Sequence, residues 1–180
     1  MLKNTEHQFG LIQIIIHWVS AIAVFGLFFV GIWMVDLSYY SEWYRTAPDL
    51  HKSVGLTLLA LTLFRVFWVL INPKPQALAE SKLEQSAGKL GHSALYILLL
   101  VIMVSGYLIS TADGRGIEVF GLFEVPSLGE FIENQEDVAG DIHEWGAYIL
   151  MGVVALHIVA ALKHHFLNKD RTLIRMIKPN

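Results

Sequence analysis

Apolar residues run along this chain in four long blocks separated by polar links. The first block, Leu11–Val35, holds one titratable residue, His17. The second, His51–Ile71, has Lys52 at its edge and Arg65 inside. The third, Leu90–Ala112, contains only His92. The fourth, His143–Phe166, contains Glu144, His157 and a terminal cluster of Lys163, His164 and His165. Each block reaches the roughly 20 residues that an α-helix needs to cross a bilayer. A buried helix of a soluble protein rarely runs so far with so little charge. The pattern therefore predicts an all-α fold, a four-transmembrane-helix bundle. It reads as a single membrane unit over residues 1–180, with a polar link at 113–142.

Local signals mark the block ends. Pro48 precedes the second block in the manner of a first-turn proline. Asn72-Pro73-Lys74-Pro75 stops that block, because proline cannot donate the next backbone bond. Asp113-Gly114 closes the third. Trp33, Tyr39, Tyr40, Trp43 and Tyr44 crowd the exit of the first, where amphipathic rings favour the membrane interface. The first block is too long for a signal-peptide core and lacks a convincing small-x-small cleavage site.

Composition supports a membrane protein. Hydrophobic residues make up 54% of the chain and charged residues 16%, against about 25% charged in soluble domains. Mean hydropathy is +0.51. The absence of cysteine excludes disulfide scaffolds, thiolate metal sites and covalently attached haem. A net charge of -3 gives no footprint for nucleic acid.

The distribution of charge predicts orientation. Link 73–89 carries Lys74, Lys82 and Lys89; the tail carries Lys163, Lys169, Arg171, Arg175 and Lys178. Link 111–142 holds Arg115 alone among basic residues. Against it stand Asp113, Glu118, Glu124, Glu130, Glu133, Glu136, Asp137 and Asp141. Basic loops stay on the cytoplasmic side, so both termini are expected there and the acidic link outside.

Titratable groups inside a bilayer are costly and mark function. His143 and His157 lie fourteen positions apart on the fourth block. Fourteen steps close nearly four turns, so both rings share one helix face, about 21 Å apart in height. His17, near the cytoplasmic start of the first block, matches the depth of His157. His51, opening the second block from outside, matches His143. Two imidazoles on facing helices supply both axial ligands of one haem iron, and haem b needs no cysteine. The set thus predicts two haem layers, His17–His157 and His51–His143.

Other residues admit two readings. Arg65 is fourteen positions after His51, at the depth of the cytoplasmic pair. It either meets a haem propionate or snorkels to headgroups. His164, on the face of His157, either bonds a propionate or quinone carbonyl or lies at the interface. Gly55 lets a flat macrocycle approach one turn after His51; Gly146 and Gly152 do the same or serve helix packing. His92 reads as a helix-end or propionate contact rather than a ligand, and His7 and His165 as solvated. HEWGA at His143 lacks the second histidine of a zinc-protease helix, and no phosphate loop appears.

IIIHW ending at Trp18, HKSVG from His51, KLGHSALYILLL around His92, and HEWGAYILMGVVALHIVAALKHHFLNKDRTLIRM from His143 to Met176 resemble the bacterial cytochrome b561 group. These are four-helix dihaem proteins of the bacterial inner membrane. The resemblance covers nearly the whole chain. It implies two b haems on His17, His51, His143 and His157, and electron transfer with ubiquinone. Related proteins include a superoxide oxidase, which carries electrons from periplasmic superoxide to quinone. Others are membrane subunits of hydrogenases and formate dehydrogenases, so a large dehydrogenase or hydrogenase partner is the alternative. The KDRTLIRM tail is similar to the stand-alone form. The acidic outer link repels superoxide unless Arg115 or Lys52 offsets it. For quinone reduction, His164 is the expected head-group ligand, with Lys163 or His165 as proton relay. A histidine-relay transporter or proton channel without haem is the competing class.

Overall fold

The computed structural model describes residues 1–79 and 81–178. Four helices dominate: α1 Leu11–Val35, α2 Trp43–Ile71, α3 Lys82–Thr111 and α4 Gln135–Phe166. All four are long and apolar enough to cross a membrane. Large apolar side chains such as Ile22, Leu70 and Leu156 stay exposed along them. Exposed apolar surface on this scale is that of a protein solvated by lipid.

α1 keeps the limits of its apolar block. α2, α3 and α4 each begin eight residues before theirs. Hydropathy marks where lipid begins, whereas the helix begins where the backbone is capped. Ser81 caps α3 by accepting from the Leu83 amide at 3.2 Å, with Glu84 in the first turn. Such a cap contributes about 1 kcal/mol. Glu136 and Asp137 open α4, and Lys163, His164 and His165 close it, each sign matched to the helix dipole. Pro48 lies inside α2 rather than in its first turn. Its ring meets only the edge of the helix, since the residue four before it, Tyr44, is the second of α2.

The acidic link holds a feature absent from the all-helical expectation. Strands β1 (Ile117–Val119) and β2 (Phe123–Val125) form an antiparallel hairpin. Its turn places Phe120 and Gly121 at φ 52 and 69, the paired left-handed geometry of a tight hairpin turn. Ile117 and Val119 are buried, while Glu118 points outward. Ser53 of α2 pins the hairpin: its hydroxyl accepts from the Phe120 amide at 3.0 Å and donates to the Glu118 carbonyl at 3.3 Å.

α1 packs on α2, α2 on α3 and α3 on α4; α1 and α4 have little backbone contact. At one end, three polar segments knit together. Asn4 donates to the Pro73 carbonyl at 3.3 Å, Arg175 to the Gln76 carbonyl at 2.9 Å, and the Trp18 indole to the Met176 carbonyl at 2.6 Å. Both terminal segments and the α2–α3 link therefore share the termini end. The hairpin occupies the opposite end.

Candidate functional site

Two layers of histidine lie between the helices. Toward the termini end, His17 of α1 faces His157 of α4 with ring centroids 6.2 Å apart, planes inclined by 64°. Toward the hairpin end, His51 of α2 faces His143 of α4 at 6.1 Å and 68°. The structure thus brings together both pairs expected from spacing. α4 serves both because fourteen residues return to the same face.

The hairpin-end layer is set by backbone. The His143 Nδ1–H donates to the Ile102 carbonyl at 2.9 Å, with the Ser105 hydroxyl 3.3 Å from the same nitrogen. That bond fixes the tautomer and leaves Nε2 as the free lone pair, as in histidines that bind metals. A Cβ on Gly106 would stand 3.0 Å from the His143 ring; one on Gly31 would stand 3.4 Å from the His51 ring. Both glycines admit imidazole against the helix, and neither was singled out from sequence. Gly146 instead packs against Ile102, where a Cβ would stand 3.1 Å away. That close contact brings α4 to the carbonyl that orients His143.

The termini-end layer is set by side chains. Arg65 places Nη2 3.1 Å from His17 Nδ1, with its guanidinium carbon 5.4 Å from the centre of the Tyr96 ring. His92 joins the layer, its ring 5.4 Å from that of His157. The expectation of a helix-end position for His92 is corrected: with α3 starting at Lys82, His92 lies nearly three turns inside.

Beyond these layers, His164 Nδ1 meets Asp170 Oδ2 at 2.5 Å. Partial burial favours the neutral Asp170 acid, but hydrogen bonds from Thr172 and His164 prevail and hold its carboxyl below the usual range. Lys163 pairs with Glu84, clamping the end of α4 to the start of α3. The His165 ring lies edge-on to Phe166. Among the described residues, no atom beyond the adjoining turns of its own helix comes within 4 Å of where a Cβ on Gly55 would stand, and the same holds for Gly152.

This donor set fits haem b. Two metal–imidazole bonds of about 2 Å, laid end to end, put ring centroids roughly 6 Å apart. Both layers match that spacing, whereas His92–His157 is shorter. Among the described residues no three His, Asp or Glu converge as a metal site, so each imidazole pair suits an iron whose other ligands come with the macrocycle. Two buried polar atoms point to the same kind of group. His51 Nδ1 and Arg65 Nε have no hydrogen-bond partner among the described residues. No described carboxylate pairs with Arg65, and a cation at that depth calls for an anion such as a propionate.

Comparison with known proteins agrees with the geometry. The profile of prokaryotic cytochrome b561 matches residues 8–179. Cytochrome b561 homolog 2 of Escherichia coli K12 is 48% identical over 175 residues, 97% of this chain and 93% of that protein. Cytochrome b562 of Cereibacter sphaeroides is 30% identical, covering 97% of this chain and 98% of its own. Probable superoxide oxidase CybB of Yersinia pestis is 27% identical, covering 94% and 96%. The chain therefore belongs to the prokaryotic cytochrome b561 family, and it is a membrane electron-transfer protein whose cofactor is b-type haem.

Proposed function

We propose that this protein carries electrons across a bacterial inner membrane through two b haems, from a donor outside to ubiquinone. The observation that carries the reading is the near-identical spacing of two imidazole pairs, 6.2 and 6.1 Å, at two heights along α4. Haem b supplies a one-electron couple. His17 with His157, and His51 with His143, would each hold one haem iron between two imidazoles, which would favour electron transfer over oxygen binding. Ile102 holds His143 in the ligating tautomer. Arg65 holds a propionate at the termini-end layer, and Gly55 leaves room for the macrocycle beside α2. The basic termini end faces the cytoplasm and the acidic hairpin end the periplasm.

His164 binds the quinone head group. Asp170 fixes its Nδ1, leaving Nε2 to meet a carbonyl oxygen. Lys163 and His165 flank it for proton delivery. The donor is superoxide on the name of the Yersinia relative. The surface favours a second reading, a redox partner such as a dehydrogenase or hydrogenase subunit. Lys52 is paired with Asp49 at 2.8 Å and Arg115 with Asp113 at 2.5 Å, which leaves the exposed Arg45 as the one cation of that end without an ion pair among the described residues, facing eight acids of the outer link.

Purified protein with two b haems per chain supports the proposal. Colourless protein overturns it in favour of a histidine relay. With the haems present, superoxide-driven quinone reduction that slows in His164→Ala, both spectra unchanged, supports the stand-alone route through His164. Inertness to superoxide, with a metal-containing subunit co-purifying, replaces that donor by the partner.

A further inference from the structure

At the termini end, the N-terminal segment, the α2–α3 link and the tail border an open cavity of about 310 Å³ lined by His7, Gln8, Leu78, Asp170, Arg171 and Arg175. Its charges are unbalanced. Both Asp170 oxygens are committed, Oδ2 to His164 Nδ1 and Oδ1 to the Thr172 amide at 2.8 Å. Arg175 spends Nη1 on the Gln76 carbonyl. The Arg171 guanidinium has no hydrogen bond or ion pair among the described residues. Arg171 and Arg175 stand one helical turn apart and repel each other. Partial burial and that neighbour push the Arg175 guanidinium down, and Asp170 offsets them only in part.

The cavity also lies at the height of the membrane interface. The exposed Trp18 indole, a residue type that settles at that level, is tied to the Met176 carbonyl next to Arg175. Leu78 lines the cavity, and Ile177, two residues after Arg175, is exposed. Two planar guanidinium forks that converge on one volume suit a phosphate, which they bind through paired N–H donors. An apolar rim at the interface suits the acyl chains attached to it.

We propose that this cavity is a phosphate-group site filled from the bilayer by the headgroup of an anionic phospholipid, with Arg171 as its principal free ligand. Inorganic phosphate offers the same chemistry without the chains. The site adjoins the proposed quinone site through Asp170, which lines the cavity and holds His164, but its ligand Arg171 has no part in the donor or quinone reading.

The test uses the full, haem-loaded protein, stripped of lipid in neutral detergent. Binding of phosphatidylglycerol, phosphatidylcholine and inorganic phosphate is read by native mass spectrometry. The expected result is a preference for phosphatidylglycerol over phosphatidylcholine. Arg171→Gln weakens that lipid about fivefold, the factor for losing one basic residue near an anionic surface, and leaves the haem spectrum unchanged. Arg171→Lys restores part of the binding. Equal binding of both lipids, or no effect of Arg171→Gln, overturns the proposal. Displacement of phosphatidylglycerol by equimolar inorganic phosphate overturns the lipid assignment and makes the occupant a soluble ion. Arg171 is exposed, so its replacement spares the fold.

Discussion

The two histidine layers share one spacing and differ in everything around it. The hairpin-end pair is held by backbone: an Ile102 carbonyl orients His143, and glycines at 31 and 106 let both rings lie against neighbouring helices. Among the described residues no cation has a hydrogen bond or ring contact with it. The termini-end pair is held by side chains: Arg65 contacts His17, and His92 leans on His157. The difference shows two ways to place an imidazole in a membrane. One relies on close backbone approach and is intolerant of bulk. The other relies on charge, which sets a local potential. A guanidinium beside a redox group stabilises its electron-richer form. With a haem in each layer, as proposed, the termini-end one should therefore be the easier to reduce, which favours flow toward that end.

The strongest way to break the comparison is bulk. Gly106→Val drives a branched side chain into the His143 ring, against which even a Cβ would stand at 3.0 Å. Haem content should fall from two to about one per chain in a pyridine haemochrome assay. Gly152→Ala, at an open position, should keep both. Loss from both variants, or from neither, removes the distinction. The next effect is charge. Arg65→Gln should lower the potential of one haem by tens of millivolts and leave the other in place; a redox titration resolves the two. The smallest effect is expected from His92→Ala. Both haem spectra should persist, with stability changed by about 1 kcal/mol or less. Loss of a haem there would make His92 a ligand and overturn the assignment of His17.

Much of this arrangement was legible in the sequence because a helix repeats. Fourteen-residue intervals place His143 with His157, and His51 with Arg65, on single faces, and those residues do line the two layers. The starts of α2, α3 and α4 were not legible, since polar residues continue a helix after the lipid ends. The misplacement of His92 followed from that error. The hairpin was hidden because three-residue strands carry almost no alternation to read. Gly106 and the Ile102 carbonyl were invisible for a different reason. Their role is a contact across helices, and neither a missing side chain nor a backbone oxygen leaves a periodic mark. The His164–Asp170 pair crosses the end of α4, where helical spacing no longer predicts neighbours.

Each imidazole pair draws one ring from α1 or α2 and the other from α4. In order of synthesis, α4 is the last of the four to leave the ribosome. Neither clamp exists on a nascent chain that stops short of Gln135, however well the earlier segments have inserted. With these pairs as the haem ligands, as proposed, cofactor capture is deferred to the close of biogenesis, and truncated products are left without the means to retain iron.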